Sequence, residues 1–247
     1  MRRLMNLIEK RMVDFRTAPF FEFLRDTSID PRERLAFAPS VGHYVMSVTD
    51  LYKLVLREEP PRDELQRLIN AETREDEFHW QWFLKDLEKL GASPAIPFSD
   101  ALRFVWSDAT IQMRLLTYHL CRLGFGASSL RKLVLIQVIE ATGKVAIANI
   151  AEVGREFGVA TGERLVYLGP HHVEAESEHT LEAPDVQKSL DAIELDADQV
   201  QQLSAMVEET FGYFRAFIDE MHACATSGHT IGRSSVAAHT NPAAAHT

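Results

Sequence analysis

The chain has only two cysteines in 247 residues, Cys121 and Cys224, and no C-x-x-C spacing. That excludes a disulfide framework or a thiolate zinc site and fits a reducing compartment. Positive charge is also scarce: 26 Lys and Arg stand against 36 Asp and Glu, a formal charge of −10. A partner that neutralises phosphates needs a basic stripe, so a nucleic-acid ligand is not expected. No run approaches the roughly 20 apolar residues of a membrane span, and "MRRLMNLIEKRMVDF" has no apolar stretch of signal-peptide length. The expectation is a soluble, cytoplasmic protein without a membrane or nucleic-acid partner. Two-residue alternation is nearly missing, as are the GxSxG, P-loop and dinucleotide fingerprints.

What is present is a three- and four-residue apolar period between clusters of proline and glycine. It predicts seven helices at about 3–26, 31–57, 61–91, 98–123, 127–158, 171–190 and 196–226. The expected fold class is all-α, a single compact helical bundle over residues 1–226. The remainder, 227–247, is small and polar and is expected to be a flexible tail, because it cannot bury enough surface to offset its ordering entropy. His229, His239 and His246 fall in this tail and read as incidental.

Ionisable residues interrupt the inward stripe of the third helix. Leu65, Leu68, Ile69, Phe83, Leu87 and Leu90 define that stripe, and steps of three and four carry it through Glu72, Asp76 and His79. A buried carboxylate is costly unless it is paired or bound to metal. "GPHHVEAESEHT" has the same arithmetic: His172, Glu176 and His179 share one helical face, whereas His171, Glu174 and Glu178 fall on others and read as solvated. Glu140 is a lone carboxylate in the apolar run "LIQVIEATGKVAIANI".

His43 is a further candidate if the second helix turns Ala36, Pro39, Met46 and Leu54 inward. The stripe Val41, Val45, Val48 and Tyr52 is the competing choice. Bland readings stand beside each of these: a solvated acidic face for Asp76 and His79, a polar helix start for the later triplet, an ion pair with Lys144 for Glu140, and a satisfied core histidine for His43. The sites reinforce one another, because independent accidents would have to put compatible ligands on inward positions of separate helices. Mixed carboxylate and imidazole ligands suit iron or manganese, and paired Asp/Glu-x-x-His motifs plus lone glutamates are how di-iron carboxylate bundles are built.

"NAETREDEFHWQWFLKDLEKLG", "LIQVIEATGKVAIANI" and "YLGPHHVEAESEHT", in this order, resemble the haem-oxygenase-like, iron-containing redox proteins. That group includes the haem-oxygenase-like di-iron oxidases and oxygenases, and is related by fold to thiaminase II and pyrroloquinoline-quinone synthase. The resemblance covers roughly residues 10–225. It implies a haem-oxygenase-like domain whose metal ligands are Asp76, His79, Glu140, His172, Glu176 and His179, with Glu72 and His43 as additional candidates. Two irons are implied, one iron or manganese being the alternative. No haem is expected, since the first thirty residues contain no histidine. The implied activity is O2-dependent oxidation of a small organic molecule in an apolar pocket lined by Tyr44, Met46, Trp80 and Phe83, and a homodimer is an admissible assembly. Two other readings stay open: a metal-free enzyme resembling thiaminase II with Cys121 as nucleophile, and an inert metal-binding or interaction protein.

Overall fold

The computed structural model describes residues 1–177 and 179–227, which leaves the expected tail beyond Ser227, and Glu178, outside the described residues. Twelve α-helical segments follow in order: α1 Arg2–Phe15, α2 Pro19–Arg25, α3 Pro31–Arg34, α4 Gly42–Asp50, α5 Glu64–Glu75, α6 His79–Lys89, α7 Phe98–Val105, α8 Ile111–Gly124, α9 Ser129–Thr161, α10 Pro170–Glu176, α11 Pro184–Asp191 and α12 Ala197–Thr226. No strand occurs among the described residues, and the fold class is all-α.

The long elements sit close to where the apolar period puts them. The 33-residue α9 is the axis of the bundle and packs against α1, α5, α8, α10 and α12. Leu133, Val134, Leu135, Ile136, Val138 and Ile139 are all buried, as is Gln137 between them. A helix that is apolar all round must be enclosed. By length and composition α9 could cross a membrane, but 67% of its most apolar window is buried inside the bundle. Ser128 caps its start, accepting from Arg131 N–H, and Gly162 ends it at φ +79°. A capping box of Asp196 and Gln199 starts α12.

Most of the other expected helices are divided, each for a local reason. The first breaks before Pro19, where Ala18 is extended, as the residue before a proline prefers. The fourth breaks at Trp106–Thr110, where Thr110 Oγ1 donates to the carbonyls of Phe104 and Val105. The second passes from α3 through a tight turn at Ala38–Val41 into α4, then into a wide turn at Leu51–Leu56. This last turn closes with Arg57 N–H donating to the Tyr52 carbonyl five residues back, at 2.9 Å. Wide turns of this type gather at functional sites.

The third expected helix also breaks, between α5 and α6, although neither proline nor glycine lies there. Arg57 holds this break open: its Nη2 donates to the Thr73 carbonyl at 2.7 Å, and its Nη1 pairs with Glu77 at 2.9 Å. The Thr73 carbonyl would otherwise accept from the next helical turn.

Candidate metal centre

Asp76 follows the last residue of α5, and His79 is the first residue of α6, so the break turns both side chains into the interior. His172 and Glu176 come from α10. His179 is not on that helix, as its spacing predicts, but just beyond it in extended backbone. Two carboxylates on α5 hold it there. Glu75 accepts from Thr180 N–H at 2.9 Å and Thr180 Oγ1 at 2.6 Å, and Glu72 Oε2 accepts from Leu181 N–H at 2.9 Å. Glu140 approaches from α9.

The result is one buried cluster. His79, His172 and Glu176 form one set of three groups with ligand atoms all within 4.8 Å of one another; Glu72, Glu140 and His179 form a second set that shares no member with the first. Asp76 lies between them, its Oδ1 3.3 Å from His79 Nδ1 and 3.6 Å from His179 Nε2. His172 is oriented from behind by the Tyr167 carbonyl, 2.8 Å from Nδ1, which leaves Nε2 3.0 Å from Glu176 Oε1. The His79 ring stacks on Trp82 with centroids 4.3 Å apart.

The electrostatics are those of a site short of positive charge. Burial, then the charges of Glu176 and Glu72, pushes Asp76 up to about 8. Burial pushes Glu140 well above the usual carboxylate range, with Asp76 and Glu176 adding to it. Burial and neighbouring His172 lower His79 to about 4. For His179 burial acts downward, but Glu72, Asp76 and Glu176 outweigh it and raise the imidazole to about 9. Glu72 Oε1, Asp76 Oδ1 and His179 Nδ1 are buried without a hydrogen-bond partner. Glu72 Oε1 and His179 Nδ1 face each other at 3.5 Å, and buried polar atoms crowded this closely without hydrogen-bond geometry fit a bound cation among them. The residues present therefore fit a metal.

Other sequence-based candidates lie elsewhere. His43 is turned away from the cluster and packs against Trp106 and Tyr118, at 5.6 and 5.9 Å between ring centroids. The competing stripe is the inward one: Val41, Val45, Val48 and Tyr52 line the cavity, while Met46 and Leu54 are exposed. Tyr44 and Trp80 line that cavity; Met46 does not, and Phe83 is buried edge-on against Tyr167. His171 and Glu174 are substantially solvated, as expected. Cys121 does not line the cavity among the described residues, and burial raises its thiol.

Supporting residues escape the ligand arithmetic. Asp86 is fully buried and accepts from Val166 and Leu168 N–H at 2.8–3.0 Å, fixing the segment whose Tyr167 carbonyl orients His172. Its signal was present, since it lies three residues after Phe83 on the inward stripe. Gly154 admits the same segment: a Cβ there would fall 1.9 Å from the Leu168 carbonyl oxygen. Glu75 carries no comparable signal.

No family model and no curated protein matches the sequence.

Proposed function

We propose that the protein is a non-haem iron oxidase or oxygenase of haem-oxygenase-like fold, acting in the cytoplasm on a small organic molecule with O2. The observation that carries this is the pair of disjoint three-residue sets joined by Asp76, with buried atoms on Glu72, Asp76 and His179 that make no hydrogen bond. One set, His79, His172 and Glu176, would hold one metal; the other, Glu72, Glu140 and His179, a second; Asp76 can serve both. Such mixed imidazole and carboxylate donors favour iron, with manganese as the alternative. A bound Fe(II) pair would supply electrons to O2.

The protein's own part is to orient and to keep dry. Tyr167 fixes His172, Glu75 and Glu72 fix the His179 segment, and Trp82 covers His79. The cavity beside the cluster is lined mainly by apolar side chains of α4, α9 and α12, which limits water at the reacting end.

The test is metal content after anaerobic Fe(II) reconstitution, compared with a His172→Ala, His179→Ala double variant, followed by O2 uptake. About two irons in the parent, a clear loss in the variant and metal-dependent O2 uptake are expected. Equal iron in both proteins refutes the assignment, and stoichiometric iron without O2 uptake refutes the oxidase reading.

A further inference from the structure

Gly143 has no packing reason to be glycine. It sits in the interior of α9, where glycine is a poor helix former, and it is not among the glycines of positive φ. A Cβ added there would meet only Ile147 Cδ1, at 3.9 Å, an ordinary contact. Gly154 on the same helix is the opposite case, since its missing side chain is required by the Leu168 carbonyl. What Gly143 leaves is space inside the cavity.

That space has a direction. Glu140, Gly143, Ala146, Ile147 and Ile150 all line the cavity from one face of α9. From Glu140 to Ile150 the face runs roughly 15 Å at about 1.5 Å per residue. Val41, Tyr44, Val48 and Tyr52 run alongside, and Phe214, Phe217 and Met221 of α12 close the slot. Its volume is about 150 Å³. No lysine or arginine is among the described residues that line it, and its charged groups all belong to the cluster. Thr142 Oγ1 is already spent on the Val138 and Ile139 carbonyls, at 2.9 Å each.

We propose that the slot receives an unbranched, uncharged aliphatic chain of the substrate, with its single polar end at the cluster, and that Gly143 sets the length of chain admitted. This rests on the metal-centre reading for what happens at the polar end. The slot itself depends only on shape and apolar lining. Each methylene moved from water into such a slot tightens binding roughly fourfold.

The experiment titrates straight-chain alcohols, from butanol to dodecanol, into the full chain by displacement of anilinonaphthalene sulfonate, with iron content measured on the same preparation. Affinity is expected to rise about fourfold per methylene and then level off. Gly143→Leu should level off at a shorter chain, and Gly143→Ala should change little. Ala146→Phe, on the same face, is a second obstruction, and the helical circular-dichroism spectrum shows that each variant folds. Affinity independent of chain length, or the same plateau in folded Gly143→Leu and Ala146→Phe as in the parent, overturns the proposal. Iron binding without alcohol binding defeats the slot and leaves the metal centre standing; alcohol binding without iron does the reverse.

Discussion

His172 Nδ1 lies 2.8 Å from the Tyr167 carbonyl while its Nε2 lies 3.0 Å from Glu176 Oε1. With Nδ1 donating to the carbonyl, the Nε2 lone pair faces a carboxylate, an arrangement suited to a cation between them. The segment carrying that carbonyl is therefore part of the metal site's support.

Asp86 anchors this segment without touching the cluster. Replacing Asp86 by alanine should lower iron affinity by about 10- to 100-fold with every ligand intact, the usual scale for losing a group that orients a ligand. Chelator competition measures it; an unchanged affinity would show that the Tyr167 segment holds its place unaided.

Arg57 supports the other side by capping Thr73 and pairing with Glu77. Arg57→Ala leaves the Thr73 carbonyl without this donor and Glu77 with Lys53 as its remaining partner, at a cost of roughly 1–3 kcal/mol. A lower thermal midpoint and weaker iron binding should appear together, because the turn it holds carries Asp76 and His79. A lower midpoint with unaltered iron binding would separate the break from the site.

The metal-free protein should lose stability as pH rises, a loss that begins above 3.8 with Asp76, is opposed by His79 up to 6.5 and continues to about 9 with His179. Asp76 is raised from 3.8 to about 8, so its stabilising contribution is complete below the unfolded value and is lost as pH rises through about 8. His179, raised from 6.5 to about 9, contributes fully below 6.5 and loses that contribution through about 9. His79, lowered to about 4, acts in the opposite direction only below 6.5. Thermal melts in chelator should therefore fall across this window, less steeply in Asp76→Asn. A flat profile in the parent contradicts the assigned shifts.

Cys121→Ser should leave iron content and O2 uptake unchanged within error. The thiol is raised by burial and by Asp50, and it stands outside the cavity lining. Loss of activity in this variant would favour the nucleophile reading instead.

Much of this was legible in the residues because burial leaves a periodic trace. The three- and four-residue apolar period placed the helix at 127–158, and the stripe through Glu72, Asp76 and His79 identified polar groups that had to face inward. Helix-face arithmetic was right about which α5 and α6 residues meet, yet its premise of one continuous helix was not. It also assigned His179 to a helix that ends at Glu176.

The sequence by itself determined the all-α class, the position of the long helices and the types of ligand available, since these follow from short-range periodicity and the cost of burying charge. Tertiary structure decided the break at Asp76, the placement of His179 and the outward turn of His43. Each depends on partners remote in the chain: Arg57 reaching Thr73 and Glu77, Glu72 and Glu75 holding the residues after His179, and Trp106 and Tyr118 packing against His43. Local spacing carries no record of contacts made across such distances.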